Sequence, residues 1–91
     1  MEAMRVTPGL KRAEVVHGYV VHLTYSDGLE ADVDLSYVLE LGPVFEALRD
    51  PEEFRRVRAS RSANTLTWPN GADIAPESLY ALAKEAAAIA S

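Results

Sequence analysis

The chain has 91 residues, of which 48% are hydrophobic and 25% charged, and its formal net charge is −5. This length fits one domain, residues 1–91, and the composition excludes the disordered and collagen-like classes. Without cysteine neither a disulfide framework nor a thiolate zinc site can form, and the acidic total opposes direct binding of nucleic acid. Because the sequence has neither a signal peptide nor a run of about 20 apolar residues, we expect a cytoplasmic protein that does not cross a membrane.

The first part of the chain predicts antiparallel strands. Residues 4–7 alternate apolar and polar side chains before a proline-glycine pair, which is typical of a short edge strand. Alternating runs over 19–25 and 29–35 flank Asp27 and Gly28, and this pair predicts a hairpin with a type I′ turn in which both residues have positive φ. The side chains expected to face the core are Tyr19, Val21, Leu23, Tyr25, Leu29, Ala31, Val33 and Leu35.

The outward side of this hairpin is acidic. Glu30, Asp32 and Asp34 line one face of the return strand, and His22 lies on the outward face of its partner strand. Three carboxylates offer the oxygen ligands that calcium or magnesium prefers, but a strand face lacks the glycine-bearing loop that wraps an ion. We therefore expect a solvated face, or one paired with arginines, and no metal site.

Residues 36–55 predict a compact connection of short helical turns interrupted by prolines. Ser36 is expected to cap the first turn, and Gly42 to end it in the left-handed conformation. Asp50 precedes a proline, and Glu53 lies three residues after Asp50. This is the pattern of a capping box that begins another turn. The segment therefore predicts several short helices and not one long helix.

The remainder of the chain predicts a second, shorter hairpin and one long helix. A strand over 57–59 pairs with a strand over 65–68, and the turn that follows places Asn70 or Gly71 where positive φ is needed. A proline at the first position and an apolar stripe made mostly of alanine predict a helix over 76–90. The fold class is therefore α+β: a small antiparallel sheet of about four or five strands, with short helical turns in the middle and one C-terminal helix.

Three segments carry a resemblance to a known family. They are the hairpin around Asp27 and Gly28, residues 42–54 with the sequence GPVFEALRDPEEF, and residues 65–74 with the sequence TLTWPNGADI. In this order and spacing they resemble the bacterial domain of unknown function 2442 family. The resemblance implies a small α+β fold similar to the NE0471 N-terminal domain, with no established activity and no cofactor. It also implies either fusion to a helix-turn-helix DNA-binding domain or partnership with another small protein in toxin-antitoxin-like pairs.

A basic cluster is the first candidate binding site. It consists of Arg55, Arg56, Arg58 and Arg61. Three interpretations are open: the arginines are solvated or paired within the chain, they form an interface for an acidic protein, or they contact nucleic acid. Exposed aromatic residues do not alternate with these arginines, so nucleic acid is the least favoured of the three. For the cluster itself, solvated or internally paired arginines are favoured ahead of a protein interface. For the protein as a whole, we predict a protein partner.

The turn that contains the sole tryptophan is the second candidate. Trp68 either fills the core or stacks on a ligand together with the tyrosines Tyr19, Tyr25, Tyr37 and Tyr80, and Asn70 is a further candidate binding residue. Asp73 is either a ligand or acid/base residue near the start of a helix, or a carboxylate that accepts hydrogen bonds from backbone amides of the turn or the helix. The structural alternative is favoured for both Trp68 and Asp73, because no nucleophile or second catalytic group lies at a recognisable spacing.

The sequence therefore predicts a non-catalytic protein-interaction module, the antitoxin-like or regulatory partner in a two-protein bacterial system. The alternative is a small-ligand or metal-binding domain with an accessory enzymatic role. The chain contains no nucleophile elbow, phosphate loop or dinucleotide-binding glycine pattern, which disfavours an enzyme. Because a helix lined with alanine and the edges of a sheet leave apolar surface uncovered, we also expect a homodimer.

Overall fold

The structure is a computed structural model that describes residues 8–90, so the edge strand predicted over residues 4–7 lies outside the described part. Residues 8–90 form two antiparallel sheets, one with the strand order β1-β2-β3 and the other made of β4 and β5. The strands are β1 Leu10–His17, β2 Val20–Tyr25, β3 Glu30–Asp34, β4 Arg58–Ser60 and β5 Thr65–Thr67. The α+β class and both predicted hairpins are confirmed, with the strands divided between two sheets. The helix α3, Pro76–Ala90, is the predicted C-terminal helix.

The β2–β3 hairpin closes with a three-residue loop. The amide of Gly28 donates to the carbonyl of Tyr25 at 3.1 Å, and the amide of Tyr25 donates to the carbonyl of Leu29 at 2.8 Å. Gly28 has a φ of +94, whereas Asp27 is not among the residues with positive φ, which is the pattern of a type I turn followed by a glycine bulge. The predicted type I′ turn is therefore wrong. Asp27 Oδ1 accepts a hydrogen bond from the amide of Leu29 at 3.0 Å, and this Asx turn supports the observed conformation.

The length of this loop determines which side chains share a face of the sheet. His22 lies opposite Asp32 in the observed register, whereas a two-residue loop would place it opposite Val33, whose side chain is buried. The predicted inward face is confirmed. Its most deeply buried members are Val21, Leu23, Tyr25, Ala31, Val33 and Leu35.

The helical connection begins differently from the prediction. A 3-10 helix spans Ser36–Glu40 and contains Ser36 as its first residue, so Ser36 is not the cap. The N-cap is Leu35, whose side chain cannot accept a hydrogen bond. Asp34, one residue earlier, accepts a hydrogen bond at its Oδ1 from the amide of Ser36 at 2.9 Å. Gly42 has a φ of 160, which is extended and not left-handed. Its predicted conformation is wrong because the next helix, α1 Pro43–Glu46, begins at the following residue and makes Gly42 an N-cap.

The predicted cap at Asp50 is confirmed. Asp50 precedes the helix α2, Pro51–Phe54, and its side chain accepts a hydrogen bond from the amide of Glu52 at 3.0 Å. The last residue of this helix, Phe54, is fully buried and lies between two other aromatic rings. Its ring centroid is 4.9 Å from that of Tyr19 and 5.7 Å from that of Trp68. The short helix therefore positions the aromatic centre of the core.

The helix α3 packs against β3 through Leu79 and Ala83, both of which are fully buried. Tyr80 links this helix to the β2–β3 loop, since its hydroxyl donates to Asp27 Oδ2 at 2.5 Å. The Tyr80 ring also lies edge-on to the Tyr25 ring at a centroid distance of 4.9 Å. Within residues 8–90, no helix is both long and apolar enough to span a membrane.

Tyr25 Oη is buried without a hydrogen-bond partner among the described residues, and this predicts the effect of removing it. Tyr25→Phe is expected to leave the free energy of unfolding unchanged at neutral pH or to raise it by up to about 1 kcal/mol, because no hydrogen bond is lost. Tyr80→Phe, which removes the hydrogen bond to Asp27, is the matched control and is expected to destabilise the fold. Urea denaturation measures both, and a clear loss of stability in Tyr25→Phe would contradict the prediction.

The same substitution has a consequence at alkaline pH. Burial, with smaller contributions from Tyr80 and Asp27, raises the pKa of Tyr25 to about 12. The unfolded chain ionises near pH 10, so the stability associated with the neutral phenol is lost as the pH rises from about 10 to 12. Part of this alkaline loss is expected to disappear in Tyr25→Phe.

Candidate interaction surface

The outward side chains of β1, β2 and β3 form a polar face. The cross-strand register places Glu14, His22 and Asp32 in one row across the three strands. His22 Nδ1 lies 2.6 Å from Asp32 Oδ1, and its Nε2 lies 3.1 Å from Glu30 Oε1. Both ring nitrogens can donate at once only when the imidazole is protonated. We call this surface, made of Glu14, Glu30, Asp32 and Asp34 around His22, the acidic face.

His22 is the cation that the carboxylate row requires, a role for which the sequence suggested arginines. The hydrogen bonds to Asp32 and Glu30 raise the pKa of His22 above its usual value of 6.5, and only a small desolvation opposes them. The sequence feature that could have predicted this pairing is the hairpin register, because a three-residue loop places His22 directly opposite Asp32. Within residues 8–90, no group of three histidine, cysteine or carboxylate side chains is arranged to hold a metal ion.

The pairing of His22 predicts a modest pH dependence of stability. A raised pKa in the folded state means that the stabilisation is complete below pH 6.5 and is lost as the pH rises through the folded pKa. Because the His22 side chain is 36% exposed, we expect less than about 1 kcal/mol. Thermal unfolding between about pH 5.5 and 8 measures this difference. His22→Gln is expected to abolish the difference and His17→Gln to keep it, and the reverse result would contradict the assignment.

The predicted basic cluster lies beside the three-stranded sheet, at the edge formed by β1. Arg55 and Val57 line a groove of about 360 Å³ together with residues 13–17 of β1. Lys11 and Arg61 line a second groove of about 340 Å³ near the start of β1. The strand β4, which begins with an exposed arginine, lies beside β1. We call the exposed side chains Lys11, Arg55, Arg58 and Arg61 the basic rim.

Within residues 8–90, most of the positive charge of the basic rim is not neutralised by a neighbouring carboxylate. Arg56 lies 3.8 Å from Glu53 in an exposed i,i+3 pair, and such pairs contribute little to stability. In the described part of the chain, no carboxylate lies within ion-pair distance of Arg55, Arg58 or Arg61. Within residues 8–90 these three arginines therefore lack an acidic partner, whereas Glu30 and Asp32 of the acidic face are paired with His22.

The tryptophan turn has a structural role. Trp68 is 4% exposed, and its indole Nε1 donates to the carbonyl of Phe54 at 3.0 Å. Asn70 Nδ2 donates to the carbonyl of Val44 at 2.9 Å, and Asn70 Oδ1 accepts from the amide of Ala72 at 3.1 Å. These contacts join the turn to the helical connection and use the polar atoms of both side chains.

The turn repeats the loop geometry of the β2–β3 hairpin. The amide of Gly71 donates to the carbonyl of Trp68 at 3.0 Å, and the amide of Trp68 donates to the carbonyl of Ala72 at 2.9 Å. Gly71, with a φ of +95, is the residue that takes the predicted positive φ. The asparagine before it and the aspartate of the β2–β3 loop each accept a hydrogen bond from the amide two residues later.

Asp73 does not make the backbone hydrogen bonds predicted for its carboxylate. Its side chain is exposed and accepts no hydrogen bond from residues 8–90. The physical reason is that the backbone of Asp73 forms a β-bridge with Thr67, which places the residue at the end of the hairpin, before the start of α3. The predicted binding residues are thus dispersed, with Trp68 in the core and the arginines at the β1 edge.

Two residues of this region were not identified from the sequence. Lys11 joins the basic rim only because β1 and the loop after β4 are neighbours in space. Asn64, with a φ of 58, accepts a hydrogen bond from the amide of Leu10 at 2.8 Å and donates to the carbonyl of Pro8 at 2.9 Å. These contacts span more than 50 residues, and no local sequence signal indicates them.

Comparisons with known proteins agree with this architecture. The family model described as protein of unknown function DUF2442 matches residues 10–85, and no curated protein matches the chain. The crystal structure of NE0471 from Nitrosomonas europaea, named a putative DNA-binding protein, is similar, with a TM-score of 0.79 and 28% sequence identity. The match covers 96% of this chain and 56% of that one, so this chain spans little more than half the length of its structural neighbour.

Proposed function

The chain belongs to the DUF2442 family, and we propose that it is a non-catalytic module that binds an acidic segment of a partner protein through the basic rim. The observation that carries this proposal is a group of exposed arginines, Arg55, Arg58 and Arg61, that have no ion-pair partner within residues 8–90, in a chain whose net charge is −5. Separated charges of this kind orient a charged partner and speed its association. Such a partner is the second protein of the two-protein system implied by the family resemblance.

The arrangement of the candidate catalytic groups supports a non-catalytic role. Asp73 is exposed without a hydrogen-bond partner in the described part of the chain, and Trp68 is buried away from it in the core. General acid/base chemistry needs a group with a perturbed pKa near a base, a nucleophile or a bound substrate. An interaction module requires none of these, so we favour it over an accessory enzyme.

Binding of DNA is the second candidate, and one observation favours it. The structural neighbour is named a putative DNA-binding protein, and the basic rim is the surface of this chain that phosphates would contact. However, this chain covers only 56% of the neighbour, and exposed aromatic residues do not alternate with the arginines. We therefore rank an acidic protein segment first.

Fluorescence anisotropy with two probes tests both candidates. One probe is a short labelled peptide of alternating glutamate and valine, and the other is a short labelled DNA duplex. We expect the peptide to bind more tightly than the duplex at physiological ionic strength, and Arg55→Glu, Arg58→Glu and Arg61→Glu each to weaken peptide binding by about tenfold. Lys84→Glu on α3 is the matched control, because it makes the same charge change away from the basic rim, and it should leave the affinity unchanged.

The possible results separate the candidates. Tighter binding of the duplex, lost in the same arginine variants, would establish DNA as the ligand. If neither probe binds, or if the Lys84 variant loses as much affinity as the arginine variants, the basic rim is not the binding surface.

We also propose that the homodimer expected from the sequence forms at an apolar groove of about 470 Å³ between the 3-10 helix and α3. Tyr37 and Leu82 line this groove, and the nearby Ile89 is 80% exposed. Sedimentation of the wild-type protein and of Leu82→Lys tests the dimer, since a charge in the groove should leave only monomer.

A further inference from the structure

We propose that the acidic partner segment binds as an added β-strand along the edge of β1, in the groove beside Arg55. This inference rests on the proposed function and specifies how the segment is held. Strand addition obtains affinity from main-chain hydrogen bonds and specificity from alternate side chains of the added strand.

The first support is that β1 ends its sheet. In the order β1-β2-β3, β1 pairs with β2 on one side only, and in residues 8–90 no backbone hydrogen bond joins β1 to β4. At the start of the strand, the amide of Leu10 already donates a hydrogen bond to Asn64 Oδ1. Farther along β1, residues 13–17 line the groove, and among the described strands only β2 pairs with them.

The second support is the shape and chemistry of the groove. Ala13, Val15 and Val57 are partly buried apolar side chains that pack against the core and line the groove. Because alternate side chains of a strand share a face, an added strand presents an apolar residue to this lining at every second position. Arg55, exposed and without an ion pair in the described residues, lies at the side of the groove and selects a carboxylate.

The register of β1 limits the length of the added strand. The pairing with β2 is interrupted between Leu10 and Arg12 and again between Val15 and His17. Such bulges twist an edge strand and prevent extended pairing with other chains. Only Arg12 to Val15 remain regular, so we infer a short segment of about four paired residues. A carboxylate of the added strand next to Glu14 meets a like charge that weakens binding, so Arg55 and the main-chain hydrogen bonds must supply the affinity.

Backbone N-methylation of the glutamate-valine peptide tests strand addition. Two peptides are compared with the unmodified one: the first is methylated at the glutamate nitrogens and the second at the valine nitrogens. In an added strand, the amides of alternate residues point toward β1 and the others away from it. We therefore expect one methylated peptide to bind about tenfold more weakly and the other to bind as well as the unmodified peptide. Hydrogen exchange should show slower exchange of the amides in residues 12–15 when the unmodified peptide is bound.

The outcomes distinguish failure of this inference from failure of the proposed function. If both methylated peptides bind like the unmodified peptide, and Arg55→Glu still weakens all three, the acidic segment is held by charge alone and strand addition is wrong. Protection of β3 amides in place of β1 amides would overturn the site. If no acidic peptide binds, the proposed function fails and this inference fails with it.

Discussion

Phe54→Ala is expected to lower the free energy of unfolding by about 3–5 kcal/mol, which approaches the total stability of a domain of this size. Phe54 is fully buried, and its ring contacts those of Tyr19 and Trp68. Its removal leaves a cavity at the centre of the core, which the rigid neighbouring rings cannot fill. Alanine favours the helical conformation of α2 more than phenylalanine does, so helix propensity does not account for the loss.

Phe45→Ala is the matched control, because the two phenylalanines lie in the same helical connection. Phe45 is only partly buried, and its truncation is expected to cost about 1–2 kcal/mol. Chemical denaturation followed by circular dichroism measures both variants. Equal losses would contradict the central position of Phe54 in the core.

Asn64→Ala is expected to cost about 3 kcal/mol through two effects. The variant loses the hydrogen bonds to the amide of Leu10 and the carbonyl of Pro8, at about 1 kcal/mol each. It also places alanine at a φ of 58, a left-handed conformation that costs alanine roughly 1–2 kcal/mol. These two hydrogen bonds connect the start of β1 to the loop between β4 and β5, so their loss weakens the connection between the two sheets.

Two further substitutions at this position separate the effects. Asn64→Gly tolerates the positive φ and should recover about 1 kcal/mol relative to Asn64→Ala. Asn64→Asp retains an acceptor for the amide of Leu10 but loses the donor for the carbonyl of Pro8. Urea denaturation of the three variants gives the comparison, and a glycine variant as unstable as the alanine variant would show that backbone strain contributes nothing.

The β2–β3 hairpin shows how far local patterns lead. Alternation of apolar residues correctly predicted which side chains face inward, because one face of the sheet is buried and the period of a strand is two. The same pattern was inconsistent with the predicted type I′ turn, since a two-residue loop would pair inward with outward residues. The three-residue loop resolves this conflict, and it brings His22 opposite Asp32.

The candidate site shows the limit of local patterns. The arginines of the basic rim are close in sequence and were identified as a cluster, but their position beside the edge of β1 depends on contacts between segments about 40 residues apart. Trp68 and Asn70 were grouped with those arginines as binding residues. Their polar atoms instead bond to the helical connection, whose position relative to the turn no local pattern specifies.

The sequence by itself determined the α+β class, the two hairpins, the C-terminal helix and the cap at Asp50, because each depends on residues within a few positions of one another. The tertiary structure decided the pairing of His22 with the acidic face, the contacts of Asn64 and the place of β1 at the end of the described sheet, beside the basic rim. These features arise where distant segments meet, and the burial and hydrogen bonding that select them are satisfied only in the complete core.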